Sequence, residues 1–152
     1  MKTIKKFCMI ISITISLFLL HACFPAIVKV SPNSFFDKMI IQGDQVYMVC
    51  YIEFVNISDV RKRIAVSGIS DNDVENGLLK ERSLSFYILN TDKLESIDED
   101  SIIQLLQPMS YIDIDAHSTK NVICCFVGSH GSETRKHDRN LPTILIQSLP
   151  DT

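Results

Sequence analysis

Val46-Tyr47-Met48-Val49-Cys50-Tyr51-Ile52-Glu53-Phe54-Val55 is the longest run of strand-forming residues in the chain. β-Branched and aromatic side chains fill it, and Glu53 is its only charge. Successive side chains of a strand point to opposite faces, so the run divides into two sets. Val46, Met48, Cys50, Ile52 and Phe54 form an apolar face that predicts a core contact. Tyr47, Val49, Tyr51, Glu53 and Val55 form a mixed face expected to be partly exposed. Asn56-Ile57-Ser58-Asp59 then supplies turn residues, which closes the strand.

The same two-residue period recurs on both sides of this run. Arg63–Ile69, Ser83–Leu89 and Thr143–Gln147 each read as a strand. Tyr111–Asp115 is a shorter one that ends at a turn around His117-Ser118-Thr119. Asn121–Val127 is apolar on both faces, which predicts a central strand. Ala26–Val30 and Met39–Gln42 are weaker candidates for a first edge. One stretch departs from the pattern. Ile102, Ile103, Leu105 and Leu106 have helical spacing, with Asp98-Glu99-Asp100 before them and Pro108 after. Acids favour a helix N-terminus and proline stops a helix, so Asp98–Gln107 reads as a short crossover helix.

Short strands separated by turn clusters, with one crossover helix, predict a mainly β fold built as an antiparallel β-sandwich. Over roughly residues 45–148 the pattern resembles the immunoglobulin-like domains of exported bacterial proteins. It is similar in general to small exported proteins of Gram-positive bacteria. This resemblance implies an architecture and an address, and brings no assigned activity or functional residues.

The address has its own support. Met1–Lys6 carries three lysines, and Phe7–Leu20 follows without a formal charge. A basic start and an apolar run of that length predict an export signal. Leu20-His21-Ala22-Cys23 resembles the lipobox of bacterial lipoprotein signals in its Leu, small residue and Cys, with His21 at the variable position between them. The resemblance implies cleavage before Cys23 and lipid attachment to its thiol. Phe7–Val28 is also long enough to cross a bilayer as an uncleaved hydrophobic helix, with the lysines inside. An ordinary cleaved signal is the third reading. All three predict a domain outside the cytoplasm, with residues 1–28 as signal or anchor and residues 29–152 as one β domain.

With Lys2, Lys5 and Lys6 set aside, twelve basic residues face 18 acidic ones, a net charge near −6. Neutralising phosphates takes a basic surplus, so the domain is not expected to bind nucleic acid. No cofactor or metal motif is present: C-x-x-C and H-x-x-x-H do not occur. The immunoglobulin-like resemblance implies an inter-sheet disulfide between Cys50 and either Cys124 or Cys125. Adjacent residues face opposite ways, so at most one of the pair can meet Cys50, and the sequence does not choose. The antibody pattern's core Trp is absent. The competing reading, three small buried hydrophobes, is the one favoured.

Two polar stretches are candidate sites. Gly128–Pro142 is a long connection between apolar strands, and loops of that length often carry function. His130, Arg135, Lys136, His137, Asp138 and Arg139 make it a candidate binding loop, with Arg135, Lys136 and Arg139 placed for an anionic ligand; a solvated hairpin loop is the competing reading and the one favoured. Ser129, His130 and Asp138 lack the strained nucleophile turn of a hydrolase. Asp71-Asn72-Asp73-Val74-Glu75-Asn76-Gly77 has the acids of a calcium loop, but its Gly falls one position late and Arg82 replaces the closing Glu. A turn with solvated acids is expected there. Asp113 and Asp115 share a strand face without forming an acid–base pair. Asn56-Ile57-Ser58 fits a glycosylation acceptor, a meaning that applies only in a eukaryotic secretory pathway. The expectation is a membrane-tethered binding or structural module of the cell envelope, meeting the membrane through its N-terminus and another envelope protein through its domain. The alternatives are a hydrolase using residues 128–142 and a calcium-responsive sensor.

Overall fold

The structure is a computed structural model that describes residues 27–108, 111–134 and 140–150. The N-terminal segment, including the hydrophobic-helix reading and Cys23, lies outside the described residues, as do Arg135–Arg139. No helix among the described residues is long and apolar enough to cross a membrane.

Among the described residues nine strands form one curled antiparallel sheet: β1 (Val28–Val30), β2 (Phe35–Gln42), β3 (Gln45–Asn56), β4 (Lys62–Ile69), β5 (Ser83–Leu89), β6 (Leu106–Gln107), β7 (Ile112–Ile114), β8 (Thr119–Ser129) and β9 (Thr143–Leu149). Their main order is β1, β3, β8, β5, β4, β7. β2 lies beside β3, β6 beside β5 and β9 beside β4. Two short helices interrupt the strands, α1 (Asp71–Glu75) and α2 (Ile102–Leu105), and a 3-10 turn covers Leu94–Ser96.

β3 and β8 are the backbone of the fold. They pair without a break from Gln45↔Ser129 to Val55↔Thr119. Asn121–Val127 lies between β3 and β5, the central place its two-sided apolar pattern predicts. The even-numbered face of β3 is buried throughout: Val46, Met48, Cys50, Ile52 and Phe54 are all in the main core. The sheet curls over that face, bringing Ile64 of β4, Ile112 and Ile114 of β7, and the inner side of β9 against it. Gly68 makes the close approach feasible, because a Cβ there would sit 2.7 Å from a ring carbon of Phe126. Phe126 packs in turn on Phe86, its partner in β5, at 5.3 Å between ring centres.

The odd-numbered face of β3 departs from expectation. Tyr47 and Val49 are buried rather than partly exposed, in a second cluster with Ile40, Leu89, Ile97, Ile102 and Cys125. The cover comes from residues 94–106, far away in sequence. Lys38 pins it there by donating its ammonium to the carbonyls of Leu94 and Ile97, at 3.0 and 3.2 Å. The predicted crossover helix is shorter than its apolar spacing suggested. Asp98 accepts from the amides of Asp100 and Ser101, Ser101 returns a bond to the Asp98 amide, and only Ile102–Leu105 is α-helical. Leu106 and Gln107 leave the helix to pair with Leu89 and Ile88.

Candidate functional site: a polar cleft at one end of the sheet

The unbroken β3–β8 pairing gives the domain two ends. At one, the His130 amide donates to the Asp44 carbonyl at 2.8 Å; at the other, the Asn56 amide donates to the Ser118 carbonyl at 2.9 Å. A strand rises about 3.3 Å per residue, so these ends stand roughly 40 Å apart.

The Asp44/His130 end carries the cleft. Ser70, in extended conformation, precedes α1 and donates its hydroxyl to the Asp73 carboxylate, and it accepts no capping bond from the helix amides. Asp73 is only 6% exposed. After α1 the chain turns at Gly77, whose φ of 75° suits glycine, and the amides of Leu78 and Leu79 both bond to the Asp73 carbonyl. That turn drives Leu78 and Leu79 into the core.

The segment after β8 is laid directly on this turn. Gly131 donates to the Leu78 carbonyl at 2.6 Å, and Ser132 and Glu133 donate to the Gly77 carbonyl at 2.9 and 3.0 Å. A Cβ on Gly131 would stand 2.1 Å from the Gly77 oxygen, so only glycine fits. The acidic turn at residues 71–77 and the polar connection at 128–142, read separately in the sequence, therefore form one structure. Between α1 and residues 140–143 they leave a cleft of about 410 Å³. Asp71, Asn72, Asn76, Asn140 and Thr143 offer it hydrogen-bonding groups, while Ile69, Leu141 and Pro142 supply apolar wall. Asp71 lies 3.5 Å from Arg82, both well exposed, a contact that water screens heavily.

Of the candidate loop residues, His130 is described. Its Nε2 lies 3.1 Å from the Glu133 carbonyl and its backbone bridges Leu79, so it closes the turn that follows β8. Arg135, Lys136, His137, Asp138 and Arg139 continue the same connection outside the described residues. Among the described residues no group of three or more His, Cys, Asp or Glu side chains converges as a metal site.

The cysteines are placed differently from the inter-sheet arrangement that the antibody resemblance implies. Cys50 faces Cys124 directly, but on neighbouring strands of the same sheet. The backbone bonds at Asp44/His130 and Asn56/Ser118 fix the alternation, which makes Cys50/Cys124 a hydrogen-bonded pair, the wider of the two antiparallel spacings. Cys125 opposes Val49 on the other face. All three are buried free thiols. Burial, with a smaller contribution from Asp37, pushes the Cys50 thiol up to about 12, and burial also holds Cys124 and Cys125 well above the ordinary range. A thiol is a weak nucleophile until deprotonated, so these are packing residues by chemistry.

Asp113 and Asp115 are occupied on the outer face. Arg63 grips Asp113 through two bonds, at 2.8 and 3.0 Å, and Arg61 adds a third at 2.9 Å. The Arg63 hydrogen bonds are the main reason the Asp113 carboxyl is held below its usual range. Arg61 also reaches Asp115 at 3.8 Å, and Arg63 lies 4.0 Å over the Tyr111 ring. At the opposite end of the sheet Asn56 is 1% exposed. Its amide nitrogen donates toward the carbonyls of Val60, Ile114 and Asp115, and its oxygen accepts from the amide and hydroxyl of Ser58. A glycan on that nitrogen is incompatible with this packing.

Comparison with protein-family models, curated proteins and solved structures finds no match for the chain.

Proposed function

We propose that this chain is a non-catalytic binding module of the cell envelope, held at the membrane by its N-terminal segment and binding through the cleft between α1 and residues 140–143. The observation that carries the reading is the welding of two polar loops, distant in sequence, around a glycine that admits no side chain. Holding the two loops together preorganises the surface beside them, and preorganisation lowers the entropic cost of binding. The groups it offers are amides, hydroxyls and a carboxylate, suited to a partner rich in hydroxyl or amide groups. The immunoglobulin-like reading of the fold belongs to the same proposal, supported by the way the curled sheet places β3 and β8 opposite β4 and β9 around one core. Export and tethering are supported by the basic, apolar N-terminus and the lipobox-like Leu20–Cys23.

Photo-crosslinking in native membranes tests the binding site. A crosslinkable residue at Asn72 or Asn140 in the full chain is expected to give a discrete adduct, and one at the exposed Glu95 none. The adduct should disappear on Gly131→Ala, which parts the loops without altering the probe. No adduct from either cleft position, or the same products from Glu95, would overturn the assignment.

A further inference from the structure

The Asn56/Ser118 end of the sheet carries apolar side chains among cationic ones. Ile27 and Ile57 are joined by a backbone bond from the Ile57 amide to the Ile27 carbonyl at 3.0 Å. Val60, in the same loop, is tied to the strand end through its carbonyl, which accepts from Asn56 and Ser58. These side chains are 38, 44 and 51% exposed, an unusual outward set for residues so firmly anchored. Around them, Lys29 sits opposite Val55 and Lys120 opposite Phe54, one and two residues before the strand ends. Arg61 and Lys62 follow Val60. The carboxylates of this end are Asp59, 2.7 Å from His117, and Asp115, which Arg61 approaches; Asp113 is taken by Arg63. Lys29, Arg61, Lys62, Arg63 and Lys120 against Asp59, Asp113, Asp115 and the neighbouring Glu53 leave this end with a small cationic surplus, although the domain as a whole is acidic.

The position of the chain decides the occupant. The apolar run that begins at Phe7 continues into β1, whose first residue is Val28, with no polar spacer between. If the run spans the bilayer, β1 starts at its surface. If Cys23 carries the lipid, three residues separate it from Ile27, and an extended chain covers at most about 3.6 Å per residue. Either tether holds this end within about 15 Å of the headgroups. We infer that the Ile27, Ile57 and Val60 surface rests in the headgroup region of an anionic bilayer, with Lys29, Lys62 and Lys120 facing lipid phosphates. Apolar residues framed by lysines are what such an interface favours. The inference rests on the tethered reading proposed above. Its consequence is orientation: the cleft, at the other end of β3, points away from the membrane.

Hydrogen exchange on the full chain in phosphatidylcholine–phosphatidylglycerol vesicles tests it, with flotation measured in parallel. Amides of residues 57–61 and 115–119 should exchange at least tenfold more slowly than in an Ile57→Asp, Val60→Asp double variant. Residues 72–76 should exchange equally in both, and unchanged protection of β3 and β8 shows that the variant is folded. If the chain floats with vesicles but 57–61 exchange as in the variant, the docking is wrong and the tether stands. If the chain does not float, the tether and the docking fall together.

Discussion

Gly131→Ala puts the junction of the two polar loops under direct stress. The added Cβ would lie 2.1 Å from the Gly77 carbonyl oxygen and 2.9 Å from its carbon. Both obstacles are backbone, so neither can rotate away. Ordinary contact requires a retreat of more than about 1 Å, enough to break the bonds from Gly131 to Leu78 and from Ser132 and Glu133 to Gly77. A net hydrogen bond contributes about 0.5–1.5 kcal/mol, and water will re-solvate part of this exposed loop. The three together therefore set the cost at about 2 kcal/mol. With a urea slope of about 2 kcal/mol per molar, the denaturation midpoint should fall by roughly 1 M. Amide exchange at residues 131–133 should lose its protection, while the β3–β8 ladder keeps its own. An unchanged midpoint with residues 131–133 still protected would refute the contact.

Other outcomes follow from buried and paired groups. Asn56→Ala should cost about 3 kcal/mol, because it strips a satisfied buried hub and leaves the Ile114 carbonyl without its side-chain donor; a thermal melt within a degree or two of wild type would contradict this. Native-state alkylation, read peptide by peptide by mass spectrometry, should leave Cys50, Cys124 and Cys125 unmodified until denaturant is added; labelling at the denatured rate would show that they are accessible. Asp113 has a folded pKa below its unfolded value of about 3.9, so its contribution is present above that pH and is lost as pH falls through the folded value. Asp113→Asn should therefore be less stable at neutral pH and lose less on acidification below about pH 4; parallel acid limbs for variant and wild type would remove the Arg63 pairing from the account.

Much of the sheet is legible in the sequence because its strands alternate cleanly. The even-numbered face of β3, the two-sided burial of β8 and the bounds of β5 all follow from local pattern. β2 does not, and the reason is visible in its register. Phe35–Gln42 is one strand, but a shift between Phe36 and Lys38 breaks the alternation, leaving only Met39–Gln42 recognisable. Burial of Tyr47 and Val49 is illegible for a different reason, since their cover is a segment about fifty residues away held by Lys38. α1 reads as a turn in the sequence, because a five-residue helix with Val74 as its single apolar residue has no periodicity to detect. The cleft needed knowledge that residues 77–79 and 129–133 meet. Gly77 and Gly131, one in each polar loop, were the only local trace of that meeting.

The address of the domain bears most directly on the whole account, since both the tether and the orientation of the cleft depend on it. Mass spectrometry of the mature N-terminus, on protein from fractionated native cells, tests it in one step. Membrane-bound chain is expected, either beginning at a lipid-modified Cys23 or retaining Met1 with the apolar run from Phe7 intact, and a domain open to protease from outside. An unmodified chain beginning at Met1 in the soluble cytosolic fraction would contradict it.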